Sequence, residues 1–147
     1  MKIKRINILG AILANVINIS TILVFVFRLF DKPETGHWIG IIIQLSIFPL
    51  IYLLYTASQF NRRKIYYLWI GLMIVFVIVE FLLDWYPTVD FRNNLSIVIP
   101  YVMLFFGATG WMIGVASYAG KKWTIMTVIT FLIVFVLAFI QRGVTGM

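Results

Sequence analysis

From Leu95 to Ile140 the chain reads LSIVIPYVMLFFGATGWMIGVASYAGKKWTIMTVITFLIVFVLAFI, and in it only Lys121 and Lys122 carry charge. This stretch decides the fold. A helix needs about 20 apolar residues to cross the hydrocarbon core of a bilayer. The runs on either side of Gly120-Lys121-Lys122, Leu95 to Ala119 and Trp123 to Ile140, are both close to that length. Backbone groups in hydrocarbon must be bonded within their own segment, which makes each run a helix. Outer-membrane strands would show dyad alternation over about 10 residues, and neither run does. A connection of so few residues makes the two helices antiparallel neighbours.

Three more runs of the same kind lie upstream: Ile6 to Phe30, Trp38 to Ala57 and Ile65 to Leu83. The predicted architecture is an all-α polytopic membrane protein, a bundle of five transmembrane helices forming one domain over residues 1–147. Asp31 to Gly36 reads as a turn, with Pro33 and Gly36 as breakers. Ser58 to Lys64 is a basic loop, and Asp84 to Asn94 is the longest connection. Lys2, Lys4 and Arg5 ahead of an apolar run suggest a signal peptide. The run exceeds the usual 7–15 residues, roughly, and no small-x-small site closes it, so it is expected to be an uncleaved first helix.

Composition agrees. The chain is 63% hydrophobic and 12% charged, with mean hydropathy +1.03, against about half apolar and about a quarter charged in soluble domains. A soluble enzyme, a disordered tail and an ordinary nucleic-acid-binding domain are excluded. There is no cysteine, so disulfides, Cys–zinc sites, iron–sulfur clusters and thiol catalysis are excluded too. His37, the single histidine, excludes a multi-His metal site or a bis-His haem within one chain. No cofactor, no metal and no nucleic-acid partner is expected.

The formal charge of +7 is unevenly placed. With a cytoplasmic N-terminus, five crossings gather Lys2, Lys4, Arg5, Arg62, Arg63, Lys64, Lys121 and Lys122 inside, with no acid. Outside fall Arg28, Lys32, Arg92 and Arg142 together with all five acids, Asp31, Glu34, Glu80, Asp84 and Asp90. The positive-inside rule then gives N-in, C-out. Tyr66, Tyr67, Trp69, Tyr118 and Trp123 fall at the inner boundary and Trp38, Trp85, Tyr86 and Tyr101 at the outer one, as aromatic belts do. The lipid bilayer is the first partner, and a prokaryotic cytoplasmic membrane the expected location.

Two faces are candidates for helix packing or a crevice. In the first helix Asn7, Ala11, Ala14, Asn18 and Thr21 share a face, with Gly10 beside them. In the fourth Ser96, Pro100, Met103, Gly107, Gly110, Gly114 and Ser117 do, and Gly110 and Gly114 form a small-x-x-x-small pair. Small residues let backbones approach closely in lipid, and asparagines there seek partners. Such a face serves helix contact, a dimer seam or a ligand crevice. Pro49, midway along the second helix, removes a backbone bond and should kink it.

The outer acidic cluster is the candidate site. Glu80 and Asp84, four residues apart, share a helix face, and a carboxylate at that depth needs a cation, a proton or water. Arg28 is the first partner, Arg92 the second, and Asp90 and His37 extend the network. It serves either as a register-fixing ion-pair cluster or as a ligand or ion site. Catalysis lacks support: there is no HExxH, Walker A or Rossmann fingerprint, and Glu80 and Asp84 sit on one helix, whereas paired-acid catalysis needs two. The function expected first is a non-enzymatic membrane subunit, accessory or immunity-type factor, partnered by itself as a homo-oligomer or by a larger membrane protein. A small-molecule, lipid or proton binding or transport protein is the alternative, and an intramembrane enzyme comes last.

Overall fold

The computed structural model describes residues 2–85 and 95–145. The described residues form six helices: α1 (Lys2–Leu29), α2 (Pro33–Leu45), α3 (Ile47–Gln59), α4 (Lys64–Trp85), α5 (Leu95–Ser117) and α6 (Lys121–Thr145). Five spans are long and apolar enough to cross a membrane, with α2 and α3 together making the second. Helix boundaries run past the apolar runs, because Lys and Arg extend a helix beyond the hydrocarbon without breaking it.

The break at Ser46 follows from Pro49. Proline has no N–H for the carbonyl four residues back, that of Leu45, and its ring crowds that carbonyl. The ladder therefore opens one turn upstream. The Ser46 amide donates to Ile42 and Ile43 carbonyls at 3.1 and 3.2 Å, and the Leu50 amide resumes the ladder on Ser46 at 3.0 Å. The Ser46 hydroxyl caps the gap by donating to the Ile43 carbonyl. Residues 33–36, expected as a turn, instead form the first turn of α2. Pro33 stands in the first turn, where a missing N–H costs nothing and the fixed φ favours the helix.

Polar residues end the helices. Asp31 (φ 61°) and Asn61 (φ 48°) adopt the left-handed conformation just past α1 and α3. The Lys32 amide then donates to Phe27 at 2.8 Å and the Arg62 amide to Ala57 at 3.1 Å. These six-to-one bonds are Schellman caps built on Asp and Asn, the residues that best tolerate that conformation after glycine. Gly120, at φ 127°, lets the chain reverse between α5 and α6.

Side-chain pairs give the helix directions. Along α4, Tyr66, Phe76 and Glu80 meet in descending order Tyr118, just past the end of α5, and Phe105 and Tyr101 of α5, so these helices are antiparallel. Asn15 and Asn18 of α1 meet Thr127 and Thr130 of α6 in ascending order, so those are parallel. The amino end of α1 and the turns around residues 60–63 and 118–120 therefore share one end of the bundle. The turn at 30–32 and Arg142 share the other.

α1 is the centre, packing against α2, α3, α5 and α6, while α4 packs on α5 and α3. Its role follows from its small residues. Ala11 and Ala14 are fully buried, and a Cβ on Gly10 would stand 2.9 Å from Val115 Cγ1, so α5 approaches the α1 backbone closely. The glycines of α5 have separate uses. A Cβ on Gly114 would come within 2.7–2.8 Å of the Trp69 indole on α4, and one on Gly110 within 3.3 Å of Phe131 on α6. Gly107 takes no part in close packing, since a Cβ there meets nothing within 4 Å. The expected small-residue stripe of α5 leaves the core in its amino-terminal half. Ser96, Pro100 and Met103 are exposed, and Val98, Phe105, Ala108, Met112 and Val115 are buried instead.

Candidate functional site

Polar side chains gather at three levels along the bundle. At the end bearing Lys4, Arg5, Arg63, Lys64, Lys121 and Lys122, Arg62 turns inward. Its guanidinium donates to the Asn7 side-chain oxygen and lies 4.6 Å from the ring centre of Tyr118 and 5.1 Å from that of Tyr66. The two rings meet edge to face at 5.3 Å. An arginine over aromatic faces gains cation–π attraction, and this one ties α1, α4 and α5 together. Asn7, expected on a packing face, is its acceptor.

At mid-depth an amide–hydroxyl ladder joins α1 and α6. Asn15 Nδ2 donates to Thr127 Oγ1 at 2.9 Å and to the Ala11 carbonyl at 2.9 Å. Asn18 Nδ2 donates to Thr130 Oγ1 at 3.0 Å, and Thr130 Oγ1 donates to Asn15 Oδ1 at 3.2 Å. Asn18 is 1% exposed, and its Oδ1 has no hydrogen-bond partner among the described residues. Asn18, on the face expected for packing or a crevice, thus bonds α1 to α6. Asn15, Thr127 and Thr130 were missed. Their sequence signal is a pair of polar residues three apart in each of two apolar runs, one set of amides and one of hydroxyls.

The third level is a cavity of about 640 Å³ at the opposite end, between α1, α2, α4, α5 and α6. Arg28, His37 and Glu80, three of the six residues expected to form the outer network, all line it. Glu80 accepts a hydrogen bond from the Tyr101 hydroxyl of α5. Asp90 and Arg92 lie outside the described residues, as does the side chain of Asp84, whose backbone continues α4. Gln141, buried, and Arg142, exposed, add polar groups from α6. Gly107, Gly110 and Gly114 do not reach the cavity, and neither do Asn18 and Pro49.

The cavity has a direction. Its charged residues stand near the ends of their helices: Arg28 at the end of α1, Glu80 in the last part of α4, Arg142 in the last turn of α6. Its other end is apolar. Phe105 packs 6.1 Å from Phe25 and 5.4 Å from Phe76, ring centre to ring centre, Phe76 also meets the Tyr101 ring at 6.1 Å, and Thr21 lines the cavity from α1, one turn before Phe25. Such a mixture of apolar wall and a few convergent polar groups marks small-molecule sites, and the volume falls within the roughly 300–1,000 Å³ they occupy. Glu80 is the one described carboxylate in the lining. Among the described residues no group of three His, Asp or Glu is placed to hold a metal ion. No protein-family model, no curated protein and no solved structure matches the chain.

Proposed function

We propose that this chain is a small integral membrane protein that binds a membrane-soluble small molecule in its outer-end cavity, without catalytic machinery of its own. The observation that carries the reading is the cavity, which joins an apolar floor to Arg28, Glu80 and Arg142 within one bundle. The proposed orientation is N-in, C-out. It is supported by the eight Lys and Arg, with no acid, placed at the end that holds the amino terminus, as the positive-inside rule requires. A prokaryotic cytoplasmic membrane is the proposed location, supported by a composition rich in Ile, Asn, Lys and Phe and free of Cys.

Native mass spectrometry of protein released from its membrane tests the reading. The wild type is expected to retain a small amphiphile. Gly40→Trp fills the cavity from α2, where an added Cβ meets nothing within 4 Å, and should lose it. A wild type that retains nothing and binds no added amphiphile refutes the proposal.

A second reading, a subunit or accessory factor of a larger membrane assembly or homo-oligomer, is favoured by α6. It is the least buried of the five spans, with 11% of its most apolar window covered. Ile125, Ile129, Leu132, Val136 and Ile140 form an exposed stripe along it. Crosslinking through that stripe separates a protein partner from lipid.

A further inference from the structure

We infer that the cavity selects a single-chain amphiphile with an anionic head, seats the head at Arg142, and admits it sideways from the lipid between α5 and α6. The inference rests on the binding reading above and names its ligand class.

Tail and head are assigned by the direction of the cavity. Seven residues separate Arg28 from Thr21 on α1, which is about 10 Å of helix. Over that depth the lining changes from guanidinium and carboxylate to Phe25, Phe76 and Phe105. A ligand that satisfies both ends is charged at one end and apolar at the other. A volume of about 640 Å³ encloses a molecule of drug size, which accommodates one chain rather than two.

The sign of the head follows from the charges that line the site. Arg28 and Arg142 line the cavity with one described carboxylate, Glu80, so the balance among the described residues is positive. Glu80 is already engaged by the Tyr101 hydroxyl. Arg142 makes no hydrogen bond or ion pair with any described residue, although it stands at the rim of an apolar cavity. Its planar fork matches a carboxylate or phosphate bidentately. A cationic head would bring a third positive charge beside two guanidiniums.

The route is placed at the exposed apolar residues of the lining. Ile99 and Met103, one turn apart on α5, are 55% and 71% exposed, and Phe139 on α6 is 60% exposed. All three line the cavity. These are the most exposed of the large apolar lining residues, and they place one opening of the cavity between α5 and α6, in the apolar part of the spans. An amphiphile already dissolved in the bilayer meets it without leaving the membrane.

The test uses the full chain in nanodiscs of zwitterionic lipid. Chain-matched probes carry a carboxylate, a phosphate, an uncharged alcohol or a trimethylammonium head, and tail-free acetate and inorganic phosphate are added alone. Both anionic probes are expected to bind at least ~10-fold more tightly than the alcohol, the size of one charge-assisted hydrogen bond. Arg142→Gln should cut the anionic-to-alcohol affinity ratio by about the same factor, with Arg142→Lys recovering part of it. Ile99→Trp, at the mouth, should slow association of every tailed probe. If no tailed probe binds, the binding reading itself fails. If all bind with equal affinity, or the ammonium binds best, the reading stands and the anionic head is overturned. If the tail-free anions bind as tightly as the tailed ones, the amphiphile is overturned. If Ile99→Trp leaves every rate unchanged, the lateral route is overturned.

Discussion

Adding one methyl group to α5 should have opposite effects at two glycines seven residues apart. At Gly114 the new Cβ would stand 2.7 Å from two indole carbons of Trp69 and 2.8 Å from a third. Carbon atoms rest at about 3.5–4.0 Å, so the indole must retreat by about 1 Å. The ring is rigid, and such overpacking costs about 1–3 kcal/mol. Gly→Ala also gains up to about 1 kcal/mol of helix propensity, leaving a net loss of about 0–2 kcal/mol. At Gly107 nothing lies within 4 Å of the added Cβ, so the propensity gain stands alone. Gly107→Ala should therefore be neutral or stabilising, and Gly114→Ala less stable than it by about 1–3 kcal/mol. Equilibrium unfolding in mixed micelles, followed by far-ultraviolet circular dichroism, measures both. The cycle with Trp69→Ala isolates the cause: once the indole is gone, Gly114→Ala should cost no more than Gly107→Ala. Equal stabilities for the two single variants, or a penalty at Gly114 that survives in the Trp69→Ala background, would refute the assignment of Gly114 to the α4–α5 contact.

Two further outcomes follow from the polar levels and from the charge pattern. Thr127, fully buried, accepts from Asn15 at 2.9 Å, and side-chain hydrogen bonds inside membranes average about 0.6 kcal/mol with a maximum near 1.7. Thr127→Val should cost roughly that, and a cycle with Asn15→Leu should show coupling of the same size; zero coupling would mean the ladder contributes shape only. The absence of native cysteine makes any introduced thiol the single target of a membrane-impermeant maleimide. In spheroplasts Gly143→Cys should label directly and Lys122→Cys only after permeabilisation, and the reverse pattern would overturn the N-in orientation.

The helices were legible because hydrocarbon imposes one local rule, that the backbone satisfy itself within each segment. Apolar length therefore located all five spans. Pro49 announced the break at Ser46 for an equally local reason. Which face of each helix packs was harder to read. In α5 the small residues predict the contact face, yet Met103 is 71% exposed while Phe105 is buried. In lipid both faces are apolar, so hydropathy does not separate inside from outside, and only the shape of the neighbours does. Gly114 and Gly110 are small for different partners, the Trp69 indole and the Phe131 ring, and no one-dimensional pattern names them. Within the candidate site Arg28, His37 and Glu80 were legible because charges inside a span are costly and few. Tyr101 and Gln141 were not, since a tyrosine near a boundary reads as belt and a glutamine near a helix end reads as surface.

The three polar levels differ in how far the chain satisfies them from within. Arg62 has its acceptor in Asn7 and two tyrosine faces. Asn15, Thr127 and Thr130 have one another, and so does the amide nitrogen of Asn18. These groups hold α1 to α4, α5 and α6, and burying them is compensated by the bonds they make, as polar groups in hydrocarbon require. The third level sets Arg28, His37, Glu80 and Arg142 around an open volume, and it leaves Arg142 at the rim without a partner among the described residues. A stability role alone would favour closing that space with apolar side chains, because cavities weaken packing. Keeping it open beside a guanidinium costs stability, and occupancy by a ligand of matching charge and shape would offset that cost through binding to the folded state. The same linkage gives a further check: an anionic single-chain amphiphile at saturating concentration should raise the unfolding midpoint of the wild type, and should do so less for Arg142→Gln.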